Sequence, residues 1–332
     1  MKKYSTILQE AYDLRQSIIK QDNLEAFRLY DRENDKLTEV AIDKYRDWAE
    51  IQVFAPLPEN KLKFVVDDLT NSLNIKGVYI KDRTKEQCLK TKSNFLCGTR
   101  HPQHFIFEES GFKFSVNLEE YLDSGVFLDA RMIRRIIKKN SHNKRVLNLF
   151  SYTGVSSLAS ISAGASQTIS VDVSNTYSEW AKRNMELNGY DIDNNSIITQ
   201  DVRDFLNSEK GRQDKYDLII IDPPTFSHSK KGDFSVQRDH VRLLNDCLLC
   251  LELNGKILFT THFKDFRFQK EKVRAKIKEI TNETVPPEYI KGNVHRAFVI
   301  SDSSKWEKTQ ERKRYNVNKK MYRRENRKRK RI

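Results

Sequence analysis

At 332 residues the chain is long enough for two domains with separate cores, and 38% hydrophobic against 32% charged residues marks a globular protein rather than a disordered one. No apolar run approaches the roughly 20 residues that cross a bilayer, the start MKKYSTILQE lacks a signal-peptide core, and four cysteines are few for a disulfide framework, so the expected home is a reducing cytoplasm with no membrane partner. A net charge of +14 points to a polyanionic partner.

Ile7, Leu8, Ala11, Leu14 and Ile18 recur at helical spacing and predict an amphipathic first helix. From Ala26 to Pro56 the pattern alternates, predicting three short antiparallel strands with a turn near Asn34. Lys61–Leu73 reads as helix, Gly77–Lys81 as strand, and the lysine-rich Thr84–Arg100 as loop. His104–Val116 is a hairpin turning at Ser110 and Gly111. These elements form a small α+β domain, residues 1–116, and Asn117–Asn140 joins it to a second domain, 117–303.

The second domain opens on Val146–Phe150, a short apolar run of the kind found in buried parallel strands. Ser151, Tyr152, Thr153 and Gly154 supply a turn, Val155–Ala163 is a small-residue helix, and Thr168–Val173 is a second strand carrying Asp172 near its end. This is the front half of a nucleoside-binding βαβ unit, whose carboxylate takes ribose hydroxyls. Gly154 stands alone in its turn, however, and a pyrophosphate needs several glycines for close backbone approach. A nucleoside without phosphates is therefore expected, and S-adenosylmethionine fits that description.

Helix Tyr177–Asn188 buries Tyr177, Trp180, Ala181 and Met185 and ends at Gly189. Strand Ser196–Thr199 leads to Asp201, and strand Tyr216–Ile221 leads to Asp222-Pro223-Pro224. Helix Val236–Glu252, strand Lys256–Thr261 and strands near Ile280–Val285 and Arg296–Ile300 complete a mostly parallel, seven-stranded sheet. Asp172, Asp201 and Asp222 all fall at strand ends, on the edge where open α/β sheets bind ligands. After Asp222 the two prolines hold the backbone extended against a pocket, with Phe226 available to stack on a planar ring.

Cys247 and Cys250 form a C-x-x-C inside the apolar stretch DCLLCLEL, with no second pair at zinc spacing, so they read as core and no metal is expected. His228, His240 and His262 read as polar surface positions. Beyond Ser304 the chain becomes a polycation. Lys305–Ile332 carries 14 Lys and Arg against 3 Glu, a net of +11 that leaves only +3 for all the rest. Residues 304–332 are expected to be a disordered basic tail that attracts nucleic acid, with Trp306, Tyr315 and Tyr322 available for base stacking.

Five stretches, NLEEYLDSGVFLDAR, VLNLFSYTGVSSLA, VDVSNTYSEWAKRNMELNG, DPPTFSHSK and VQRDH, together resemble the class I S-adenosylmethionine-dependent methyltransferases of bacterial large-subunit (23S) ribosomal RNA. The likeness covers roughly Glu25 to Ser301 and is strongest to the C-terminal, guanine-N7-methylating half of the bifunctional large-subunit guanine methyltransferase. It implies an α/β, Rossmann-like methyltransferase domain preceded by the small α+β domain, with S-adenosylmethionine as cofactor and large-subunit ribosomal RNA or its precursor as partner. It implies further that Phe150, Tyr152, Thr153 and Gly154 wrap the methionine end, that Asp172 and Ser174 hold the ribose, that Asp201 and Val202 flank adenine, and that Asp222, Pro223, Pro224 and Thr225 face the target base. The other methyltransferase and the RNA-binding domain of the bifunctional form are expected to be missing, with RNA capture falling to the basic tail.

Chemistry separates the neighbouring activities. Methylation of cytosine C5 needs a cysteine thiolate beside the base, at the end of a late strand. Here those positions read DPPTF and FTTHFKDFRF, without cysteine. Guanine N7 has a free lone pair, so proximity and in-line alignment suffice. Methylation of guanine N2 or adenine N6 would more often use an N-P-P-[YF] motif, with Asn where Asp222 stands. Three readings remain: guanine N7, another position such as guanine N2 or cytosine C5, and a non-catalytic RNA-binding assembly factor, against which the intact Gly154, Asp172, Asp201 and Asp222 set counts.

Overall fold

The computed structural model describes residues 7–32, 35–84, 92–103, 105–208, 213–227, 232–289 and 294–302. The expected turn at Asn34, Cys88, His104, His228 and the basic tail lie outside these residues. Helix α1 (Ile7–Asp22) is followed by β1 (Ala26–Tyr30), β2 (Val40–Tyr45) and β3 (Trp48–Val53), which pair antiparallel as expected. Helix α2 (Glu59–Asn71) then carries the chain to β4 (Gly77–Asp82), which adds parallel to β3.

A fifth strand, β5 (Asn94–Gly98), pairs antiparallel with β4 inside the stretch expected to be loop. It is a sheet edge, with Asn94, Leu96 and Gly98 exposed and no residue fully buried, and its apolar run is only Phe95–Cys97, too short to stand out in a lysine-rich stretch. The hairpin is as expected, β6 (Ile106–Glu109) against β7 (Phe112–Ser115).

Next come a 3₁₀ turn at Leu128–Ala130, α3 (Arg131–Lys139), β8 (Arg145–Leu149), α4 (Val155–Ser162), β9 (Gln167–Asp172), α5 (Asn175–Glu186), β10 (Asn195–Thr199), α6 (Val202–Asn207) and β11 (Tyr216–Ile221). Short strands β12 (Phe226–Ser227) and β13 (Phe234–Ser235) precede α7 (Val236–Leu249), β14 (Leu251–Thr261), β15 (Ala275–Glu279), α8 (Thr281–Thr284) and β16 (Arg296–Asp302). The seven-stranded sheet has the order β10-β9-β8-β11-β14-β16-β15, with β16 alone running against its neighbours.

Two boundaries differ from expectation. The strand expected at Ile280–Val285 is instead β15, and Thr281–Thr284 is a short helix. β15 reads AKIKE, an edge strand whose apolar face is only Ala275 and Ile277, so the charged residues hide it. The Thr281 hydroxyl accepts from the Ala297 amide at 3.1 Å, turning the chain off the sheet. Helix α7 ends before Cys250, whose carbonyl accepts from the Tyr216 amide at 2.9 Å and so draws the chain into β14 earlier than Lys256.

One apolar cluster packs on each face of this sheet. One cluster holds Leu147, Ile219, Phe259, Cys247 and Cys250, so the C-x-x-C is core. The other runs from Tyr45, Trp48 and Tyr79 through Phe105 and Phe107 to Ile133, Leu158 and Met185. It crosses Asn117, so the N-terminal sheet and the larger sheet share one core, with Trp48 edge-on to Phe105 at 5.0 Å.

Candidate active site

From β8 the chain winds outward to β9 and β10, and from β11 it winds the other way to β14. The loops leaving β8 and β11 therefore diverge, and a crevice opens at the carboxyl ends of those strands. A cavity of about 330 Å³ occupies this place, within the range of small-molecule sites.

Its first wall is the loop after β8. Phe150 and Tyr152 adopt left-handed φ of 57° and 52°, and Gly154 follows at 77°. Left-handed backbone is costly for bulky residues and persists only where the surroundings impose it. Here the clamps are visible. The Ser151 amide donates to the Val171 carbonyl at 3.1 Å, and the Tyr152 amide donates to Asp172 Oδ2 at 2.9 Å. A side chain at Gly154 would meet Ala181 Cβ at 3.0 Å, so this glycine lets the loop lie close against α5.

Asp172 also accepts from the Ser174 amide through Oδ1 at 2.9 Å. Burial pushes its carboxyl above the ordinary range, and the backbone donors only partly reverse that. On the floor, Asp201 caps α6 through the Arg203 amide at 2.8 Å and pairs with the Arg203 guanidinium at 2.8 Å. Phe150, Tyr152, Thr153, Asp172, Ser174, Asp201, Val202, Asp222, Pro223 and Pro224 all line the cavity. Gly154 and Thr225 do not. Phe226 is half-exposed on β12 and does not line the cavity, whereas Phe127, Phe150 and Phe234 do.

A second wall comes from the segment read as a mere joint. Asp123, Gly125, Val126 and Phe127 line the cavity. The Gly125 amide donates to the Tyr152 hydroxyl at 3.0 Å, and the Thr153 hydroxyl donates to the Gly125 carbonyl at 2.6 Å. No spacing rule reports such a contact, because it joins loops about 28 residues apart through side chains of unremarkable type.

The far end of the cavity holds Asp222. Its Oδ1 accepts from the Thr260 hydroxyl at 2.6 Å, and His262 Nδ1 stands 3.8 Å from the same oxygen. The other ring nitrogen, Nε2, donates to Asp129 Oδ2 at 2.9 Å, an oxygen that also takes His295 Nδ1 at 3.2 Å. Burial disfavours the charged imidazole, but the Asp129 carboxylate outweighs it and raises His262 to about 9. Asp129 is reciprocally held far below the carboxylate range, burial being overcome by both histidines. His262 is thus a cavity residue rather than a surface one. His240 is likewise not at the surface: it is fully buried among Phe266 and Phe268 and accepts from the Gln269 amide.

The cavity's charge selects its ligand. Asp172 lines it with no cationic side chain as partner among the described residues, whereas Asp123 is paired with Lys81 and Arg83, Asp201 with Arg203, and Asp222 stands beside His262; Arg134 is committed to Glu109. An unpaired carboxylate on the wall disfavours a phosphate beside it and suits a nucleoside without one, such as S-adenosylmethionine. A family model for S-adenosylmethionine-dependent methyltransferases matches residues 79–267. The chain belongs to that family.

Curated relatives of this methyltransferase bear the name "Ribosomal RNA large subunit methyltransferase K/L". That of Alteromonas mediterranea is 36% identical over 297 residues, covering 85% of this chain and 41% of the relative. That of Pseudomonas fluorescens is 37% identical over 293 residues, covering 85% and 38%. The chain spans about two fifths of their length. Among solved structures, a methyltransferase crystallised with S-adenosylhomocysteine (SAH) is 28% identical with a TM-score of 0.79, covering 90% of this chain and 80% of that one. An S-adenosylmethionine-dependent methyltransferase from Streptococcus mutans is 26% identical with a TM-score of 0.75 and the same coverage. The enzyme is an α/β methyltransferase that uses S-adenosylmethionine.

Proposed function

We propose that this methyltransferase acts in the cytoplasm on large-subunit ribosomal RNA and methylates N7 of a guanine. The observation that carries the reading is the far end of the cavity, where a carboxylate and an imidazolium stand together and, among the described lining residues, there is no cysteine. A thiol attack on cytosine C5 then has no nucleophile. The names of the relatives support an RNA of the large subunit.

S-adenosylmethionine supplies an electrophilic methyl group on its sulfonium. In this reading Phe150, Tyr152, Thr153 and Gly154 shape the methionine end of the site, Thr153 and Tyr152 being tied to Gly125. Asp172, with Ser174 beside it, takes the ribose hydroxyls on lone pairs its backbone donors leave free, since a carboxylate has about four acceptor positions. Asp201 and Val202 flank the adenine. Asp222, with Pro223, Pro224 and Thr225 holding its backbone extended, faces the base, and its negative charge opposes the positive charge that N7 methylation creates on the ring. No proton needs to leave N7, so no general base is required. The division into residues 1–116, 117–303 and 304–332 is part of the same proposal, with the first two parts packed on one shared core.

The test is methyl transfer from labelled S-adenosylmethionine to transcribed large-subunit RNA, followed by digestion to nucleosides and mass spectrometry. Labelled 7-methylguanosine is the expected product. Label in 5-methylcytidine or N2-methylguanosine would overturn the assignment of the atom.

A further inference from the structure

We infer that His262 is a specificity-determining residue: its Nδ1–H and the Oδ2 oxygen of Asp222 form a donor and acceptor pair that reads the O6 and N1–H edge of guanine and rejects adenine. The inference rests on the guanine reading above and adds the residues that enforce it.

The argument starts from Asp129. A carboxylate can only accept, so the contact at 2.9 Å obliges His262 Nε2 to carry a proton. The other face of the ring meets a second carboxylate, Asp222, at 3.8 Å. Acidic groups on both sides keep Nδ1 protonated as well, and 3.8 Å is too long for a hydrogen bond. Nδ1–H is therefore a charged donor whose hydrogen bond is unmade, on a side chain that is 33% exposed and lines the cavity. Oδ1 of Asp222 is occupied by Thr260, and Oδ2 has no partner among the described residues. The two free groups belong to side chains already in contact.

Both are rigidly held. His295 is fully buried, bonds Asp129 through Nδ1 and reaches the Thr284 hydroxyl at 3.0 Å through Nε2. Asp129 itself sits in the 3₁₀ turn that begins beside Phe127, whose ring lies 5.7 Å from that of His262 and 39% exposed, a surface on which a base can stack. The pair is thus fixed before any base arrives.

Guanine offers an acceptor, O6, next to a donor, N1–H. Adenine offers the reverse, an amino donor next to the N1 lone pair. With adenine the imidazolium N–H would meet an N–H and the carboxylate would meet a lone pair, leaving four polar groups unsatisfied, the situation in which sites discriminate most strongly. Neither contact involves N7, which stays available for methyl transfer.

The full chain saturated with SAH is titrated with guanosine 5′-monophosphate and adenosine 5′-monophosphate, with binding read by NMR, for the wild type, His262→Ala and His262→Gln. The wild type should prefer the guanine nucleotide by roughly 10- to 100-fold, the span of one charged hydrogen bond. His262→Ala should abolish the preference with SAH affinity unchanged, and His262→Gln, which keeps an N–H donor, should restore part of it. The same variants are assayed for methyl transfer to large-subunit transcripts. A guanine preference or guanine methylation rate unchanged in His262→Ala overturns this inference and leaves the proposed function standing. A His262-dependent preference for the guanine nucleotide alongside methylation of another base overturns the proposed function alone. Methylation of adenine, or neither binding nor transfer, overturns both.

Discussion

Asp172 ends β9 with both oxygens engaged by amides, one from the cofactor loop and one from the start of α5. Replacing it removes the proposed ribose acceptor and one clamp on the left-handed conformation of Tyr152. Asp172→Ala should therefore weaken S-adenosylmethionine binding by about 3 kcal/mol or more, two charged hydrogen bonds being worth roughly 1.5–3 each. Near wild-type affinity in calorimetry would refute the assignment. Gly125 has a φ of 95°, and a Cβ there would stand 2.4 Å from Trp180 Cζ2. Gly125→Ala should lower the thermal midpoint by the equivalent of about 1–3 kcal/mol and weaken the cofactor too, because Gly125 carries Tyr152 and Thr153. A further residue-level expectation concerns pH. His262 is raised to about 9 by Asp129, so the stabilisation it contributes is complete below its unfolded value near 6.5 and is lost as pH rises through about 9. Thermal midpoints of the wild type and His262→Gln should thus converge as pH rises from about 6.5 past 9; a constant gap would contradict the pairing. The strand-end aspartates were readable in the sequence because each follows an apolar run. Gly125 and His262 were not, since His262 acquires its role from Asp129, 133 residues away.

At the scale of elements, the central strands declared themselves by apolar runs buried on both faces, as in Tyr216–Ile221. The edge strands Asn94–Gly98 and Ala275–Glu279 did not, because an edge needs only one half-buried face: the first offers just Phe95–Cys97 as an apolar run, and the second alternates its apolar residues with charges. The cysteines illustrate how a motif dissolves into packing. Cys247 and Cys250 are fully buried in the core beneath β11 and β14, away from the cavity, and burial pushes the Cys247 thiol well above its ordinary value. Cys247→Ala and Cys250→Ala should cost stability of about 1 kcal/mol each, with methyl transfer by the folded protein unchanged. Loss of turnover in either well-folded variant would revive a thiol mechanism.

For the whole molecule, the shared core from Tyr45 and Trp48 to Leu158 and Met185 makes the N-terminal sheet a support for the cavity wall at 123–127. The Tyr45 hydroxyl donates to Ser124 at 3.0 Å, one link of that support. That dependence was invisible in the sequence, where residues 1–116 read as a unit of their own. The proposal that the tail captures RNA rests on charge alone: if about half of its 14 basic residues meet phosphates, truncation after Ser304 should lower the slope of log affinity against log salt by roughly 5, at about 0.7 per phosphate. S-adenosylmethionine affinity should stay the same. An unchanged slope in filter binding would make the tail a passive extension. The central claim, methylation of a guanine N7 in large-subunit RNA, is tested most directly by comparing the modified nucleosides of that RNA from cells with and without this gene, by digestion and mass spectrometry. The account predicts that one 7-methylguanosine disappears and returns with the wild-type gene but not with Asp222→Ala. An unchanged 7-methylguanosine content, or the loss of a different modified nucleoside, would contradict it.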